Sequence, residues 1–141
     1  MFTNIIPLSD QLKKYITCFT VSHHRETFPL KYTAFSNLGT CLALFNQTSI
    51  GIRPNEVTFT KDVTHGPKII VLGRLTQPTI ITFNDPVDEI SINFTPCGIN
   101  FFFKVPFIKI AAQSSQLLNE SKWSKFASQL FTVPIENRCG L

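Results

Sequence analysis

The feature that most constrains this chain is a recurrent alternation of short β-branched and aromatic runs, each closed by Gly, Pro, Asn or Asp. Breakers fall at Gly51, Arg53-Pro54-Asn55, Gly66-Pro67, Gly73, Pro78 and Asn84-Asp85-Pro86, at the spacing expected of an antiparallel sheet. Between them, Val57, Phe59, Lys61 and Val63 alternate with polar residues, as do Ile90, Ile92 and Phe94. Ile69 to Leu72 and Thr79 to Phe83 are continuous β-branched runs. Leu30, Tyr32 and Ala34 form an earlier run, and Thr40 to Phe45 reads as a more buried strand that would pair with it as a hairpin across Asn37-Leu38-Gly39. Several short strands with turns between them must pack as two sheets or close on themselves, which predicts a sandwich or barrel.

Both ends carry helical spacing. Leu8, Leu12, Tyr15, Ile16 and Phe19 predict a first helix, with Pro7 and Ser9 in its first turn. After Pro96 the strand period stops. Trp123, Phe126, Ala127, Leu130 and Phe131 then mark one face of an amphipathic helix opening at Ser121 and ended by Pro134, with room for one further turn from Ile135 to Leu141. The expected architecture is therefore mainly β with C-terminal helices, an α+β chain: one domain over residues 1–141, strand-rich over about 17–95 and helical over about 97–141.

Composition narrows the function classes. The 14 Phe residues suggest a core or cavity walled with aromatics. The net charge of +4 comes from 13 basic and 9 acidic residues scattered along the chain, and Lys13-Lys14 is the one adjacent basic pair. Affinity for nucleic acid scales with the phosphates neutralised by clustered Lys and Arg, so this pattern predicts weak DNA binding by the chain alone. Cys18, Cys41, Cys97 and Cys139 are far apart and form no CxxC pair, which predicts buried free thiols. Charges at Asp10, Lys13 and Lys14 interrupt any secretory or membrane-spanning segment at the N-terminus, so the expectation is a cytoplasmic protein without membrane contact.

Catalytic constellations are missing from the pattern. A metal-dependent cupin needs two His a residue apart with a Glu and a further His, whereas this chain has His23, His24 and His65. Neighbours on a strand point to opposite faces, so no metal or cofactor is expected. No nucleophile elbow or phosphate-binding glycine run occurs. Cys97, beside Gly98, lacks a general base nearby in sequence and reads as a turn residue. Asp85, Asp88 and Glu89 read as solvated charges flanking a turn. The chain is not expected to be an enzyme.

Three segments together resemble the N-terminal domain of AraC-type bacterial transcription regulators. Pro7 to Phe19 is similar to the P-x-x-x-L-x-x-Y-[IV]-x-x-[FY] opening of one group of these domains. Ile92 to Pro106 resembles that group's strand ending in F-x-P-x-G, here Phe94, Pro96 and Gly98, followed by an aromatic-rich helix and a later proline. Trp123 to Phe131 with Glu136-Asn137-Arg138 is similar to the helix and E-x-R segment that leads to the helix-turn-helix half. Cys97 departs from the pattern, standing where a glycine is common, and Phe28-Pro29 lacks the usual acidic residue and glycine after it.

The resemblance implies a cupin-like sensing module that binds a small-molecule effector, helices that mediate homodimerisation, and contact with DNA only through a separate C-terminal helix-turn-helix domain. If a pocket exists, alternation nominates Tyr32, Phe45, Phe59, Phe83 and Asn93 for its wall, with plain core the favoured reading of each. Arg74 stands between strands, where it reaches either solvent or a barrel mouth. Gly98 is expected to turn the chain with backbone angles that a β-carbon opposes. Trp123, Phe126 and Leu130 are the candidate dimer contacts, with packing onto the same chain as the competing reading. Two other functions fit the same pattern, a small cupin-like enzyme with an atypical site and a purely structural dimerisation domain.

Overall fold

The computed structural model describes residues 2–23, 27–35, 39–73, 75–104, 106, 109 and 114–140. Its strands are β1 (Phe2–Ile5), β2 (Ile16–His23), β3 (Leu30–Ala34), β4 (Thr40–Asn46), β5 (Thr48–Arg53), β6 (Glu56–Lys61), β7 (Lys68–Gly73), β8 (Thr79–Phe83), β9 (Asp88–Phe94) and β10 (Ser115–Leu117). The helices are α1 (Asp10–Lys13) and α2 (Ser121–Thr132), with 3-10 turns at Gly98–Phe101 and Ile135–Gly140. The strands form a six-stranded sheet, ordered β1-β2-β9-β4-β7-β10, and a four-stranded sheet, ordered β3-β8-β6-β5. Mainly β with a C-terminal helix is thus the observed class.

The layering explains the burial pattern. Alternate residues of the central strands β4 and β7 serve two cores. Ala43, Phe45 and Ile70 pack with Val57, Phe59, Ile81 and Phe83 between the two sheets. Leu42, Leu44, Ile69 and Val71 pack on the opposite face against Ile99, Phe103 and Ala127 of the C-terminal segment. A strand covered on both faces loses its polar alternation, which is why Thr40 to Phe45 and Ile69 to Leu72 read as continuous apolar runs. In β9 the apolar set Ile90, Ile92 and Phe94 faces the C-terminal layer. Its polar set, Glu89, Ser91 and Asn93, therefore faces the space between the sheets, with Glu89 and Ser91 buried.

Four expectations are corrected. The first helix is a single turn at Asp10–Lys13; from Ile16 the chain is a strand, with a register shift between Ile16 and Cys18, because alternate residues of β2 have a face of the sheet to cover. Leu8, the proposed start of the helical stripe, is 94% exposed. β3 and β4 are not a hairpin: β3 pairs with β8, whereas β4 lies between β7 and β9 in the other sheet. The sheets are not wholly antiparallel, since β6 and β8 run parallel, with β7 in the opposite sheet supplying the crossover that parallel pairing needs. Asp88 and Glu89 are strand residues rather than loop charges. β1, β5 and β10 were not anticipated, the last lying inside the stretch expected to be helical.

The F-x-P-x-G segment is a turn, for a reason other than the one expected. Gly98 does not have positive φ. A β-carbon there would instead lie 2.2 Å from the Tyr15 carbonyl oxygen and 2.7 Å from Thr95 Oγ1, so glycine is required by close approach of two backbones. The approach is held by the Thr95 amide donating to Tyr15 O at 2.9 Å and by Thr95 Oγ1 donating to Lys14 O at 3.0 Å. The left-handed residue is Cys97, with φ of 64°. It is also exposed, while Cys18 and Cys41 are half-buried, and all three are free thiols.

Candidate functional site

Cross-strand register assembles the site. Asn93 of β9 is opposite Cys18 of β2 on one side and Cys41 of β4 on the other, and Cys41 is opposite Leu72 of β7. These four residues form one row across the inner face of the larger sheet. Over the row lies β3, whose Tyr32 and Ala34 pair with Ile81 and Thr79 of β8. The space between holds a pocket of about 320 Å³ at the end of the sandwich. Its floor is Asn93, Cys41 and Leu72 and its roof Tyr32, Ala34 and Ile81, with Thr17, Gly39, Thr40, Leu75 and Phe94 completing the lining. That volume is near the lower end of small-molecule sites, which run from roughly 300 to 1,000 Å³.

Four polar side chains of the lining, Thr17, Tyr32, Thr40 and Asn93, have hydrogen-bonding capacity to spare among the described residues. Asn93 Nδ2 donates to Thr20 Oγ1 at 3.0 Å and contacts Cys18 Sγ at 3.6 Å. Thr20 in turn donates to Asn4 Oδ1 at 2.8 Å, so the amide is oriented by a network across three strands. Asn93 Oδ1 has no protein partner among the described residues, and neither has the Tyr32 hydroxyl. The Tyr32 ring is fixed by an aromatic ladder: it stacks on Phe83 at 6.3 Å, Phe83 on Phe59 at 4.8 Å, and Phe59 on Phe45 at 4.4 Å.

A buried polar pair, Ser91 and Glu89, continues the inner face of β9 beside the floor. Ser91 Oγ donates to Glu89 Oε1 at 2.6 Å. Burial, with Glu89 contributing, pushes the Cys41 thiol from the usual 9.0 up to about 12. Desolvation, followed by the charges of Glu89 and Cys41, lifts Tyr32 from 10.0 to about 12. Both groups are protonated at neutral pH, Cys41 as a thiol and Tyr32 as a phenol able to donate.

Of the residues nominated from the sequence, Tyr32 and Asn93 meet in this pocket. Phe45, Phe59 and Phe83 lie instead in the ladder, at 1–2% exposure, where they position Tyr32. Arg74 lies outside the described residues, as does His24. His65 is on an exposed turn, its Nδ1 2.8 Å from Asp62 Oδ2. Hydrogen bonds from Thr64, then His65, hold Asp62 down at about 2. Cys18, Cys41, Leu72 and Ala34 were missed; the alternation of β4 and β7 hides them, and only the register across distant strands reveals the row.

On the opposite face, Trp123 stacks on Phe103 at 5.3 Å, Leu130 is 7% exposed within its own chain, and Phe126 remains 42% exposed. The C-terminal turn is tied to β9. Arg138 makes a two-point ion pair with Asp88, at 2.6 and 3.0 Å, while its Nε donates to Val133 O at 2.8 Å and its guanidinium lies 5.0 Å over the Phe131 ring.

Among the described residues, no helix is long and apolar enough to cross a membrane, and no group of three or more His, Cys, Asp or Glu could hold a metal ion. No family model matches the chain, and neither a curated protein nor a solved structure is similar to it.

Proposed function

We propose that this chain is a small-molecule sensing and dimerisation module, cupin-like in architecture and of the kind that forms the N-terminal half of AraC-type regulators. Its interior pocket would bind an effector, and the bound state would pass to a separate DNA-binding domain. One observation carries the reading: Asn93 and the 43% exposed Tyr32 bring polar groups with no partner among the described residues from facing sheets to a single pocket. The route outward is equally short. β9 carries Asn93 on one face, Ile92 and Phe94 against the C-terminal layer on the other, and Asp88 at its start on the Arg138 clamp.

Thermal unfolding of the protein against a library of polar metabolites tests this, with Ala34→Trp as the blocked control because an indole there would occupy the pocket. The reading predicts at least one compound that stabilises the wild type and not Ala34→Trp. Equal responses of the two proteins to every compound would overturn it.

A further inference from the structure

The chemistry of the lining goes further than the existence of a pocket and, resting on the effector reading, selects a class of ligand. No described lining residue is ionised. The groups offered are an acceptor, Asn93 Oδ1, and three hydroxyls, the Tyr32 phenol donor with Thr17 and Thr40, against an apolar remainder formed chiefly by Leu72, Leu75 and Ile81. Phe83 fixes the ring of Tyr32, and Thr20 fixes the amide of Asn93, so the pair is set before any ligand arrives.

Charge on the ligand would be poorly served. A carboxylate or phosphate entering would lose water without meeting a cation among the described lining residues. It would also sit in the field of Glu89, which acts on both Tyr32 and Cys41. An ammonium would meet no carboxylate among the described lining residues, Glu89 lying farther along β9 with one oxygen held by Ser91. A neutral edge carrying one donor beside one acceptor suits Asn93 Oδ1 and the Tyr32 hydroxyl together, and leaving either unpaired would cost binding.

We infer that the pocket takes a small uncharged molecule with a carboxamide-like edge, its N–H donating to Asn93 Oδ1 and its carbonyl accepting from the Tyr32 hydroxyl, on an apolar body of about one ring. The test uses three compounds on one skeleton, benzamide, benzoate and benzylamine, titrated into isotope-labelled protein and followed by amide NMR. Benzamide is expected to shift the Asn93 side-chain amide and the backbone amides of Cys41 and Leu72 saturably, binding about ten-fold or more tighter than either charged analogue. Tyr32→Phe should weaken benzamide by about five-fold while leaving the rest of the spectrum in place.

Preference for benzoate or benzylamine, indifference to Tyr32→Phe, or no shift at these residues with any of the three would each overturn the inference. A charged compound that binds best and perturbs the same residues would leave the pocket standing as an effector site. That reading falls only on the Ala34→Trp comparison.

Discussion

Cys97 and Gly98 are neighbours whose backbone demands are the reverse of what their identities suggest. Cys97 holds a left-handed conformation that opposes a β-carbon, whereas Gly98 has no positive φ but no room for one. Cys97→Gly should therefore stabilise the fold, by roughly 0.5–1 kcal/mol after the entropy of the added glycine is deducted. Gly98→Ala should destabilise it by about 1–3 kcal/mol, since two backbones must separate. Denaturant midpoints of the two variants check both signs. A second residue-scale expectation concerns Cys41. Its thiol is raised in the folded state, so the native protein holds that proton more tightly than the unfolded chain does. The associated stability is present in full below the usual thiol value of 9.0 and is lost as the pH rises toward about 12. Wild-type stability should fall across that window, and Cys41→Ala should flatten the fall; an unchanged alkaline profile in the variant would contradict it.

At the scale of elements, legibility tracked what each element touches. Thr79–Phe83 and Ser121–Thr132 were readable end to end, one because β-branched residues run between clear breakers, the other because Trp123, Ala127 and Leu130 mark one helical face. β5 was hidden by Gly51, which sits within a strand and not at its end, and β10 spans three residues. The turn from Ile135 to Gly140 was foreseen, but not its anchorage, because Asp88 and Arg138, 50 positions apart, carry no local signal of their pairing. Arg138→Met should cost about 1–3 kcal/mol by leaving Asp88 without its partner and freeing the turn. Hydrogen exchange in residues 135–138 should rise more than elsewhere, and uniform exchange would contradict the clamp. In α2, Leu130 is used inside the chain and Trp123 packs on Phe103, so Phe126 is the nominated contact left open to a second copy. The account expects a homodimer at tens of micromolar and a monomer for Phe126→Glu, by mass in solution. A wild type that is monomeric there would remove α2 as an interface.

For the molecule as a whole, the class of fold was legible because apolar periodicity reports how many faces a strand covers. Topology was not, since local patterns cannot say whether β3 pairs with β4 or with β8. The site divides the same way: Tyr32 and Asn93 stood out as residues of strands, whereas the row from Cys18 to Leu72 exists only in the register of four strands. The central claim is that the polar groups left open in this pocket serve a ligand rather than the fold. Tyr32→Phe tests it most directly, because it removes a hydroxyl with no partner among the described residues and keeps the ring on the ladder. Thermal unfolding of this variant, measured with and without benzamide, should give a ligand-free stability within about 0.5 kcal/mol of wild type and a much smaller stabilisation by the ligand. A ligand-free loss above about 1 kcal/mol with the ligand response intact would show that the hydroxyl belongs to the fold.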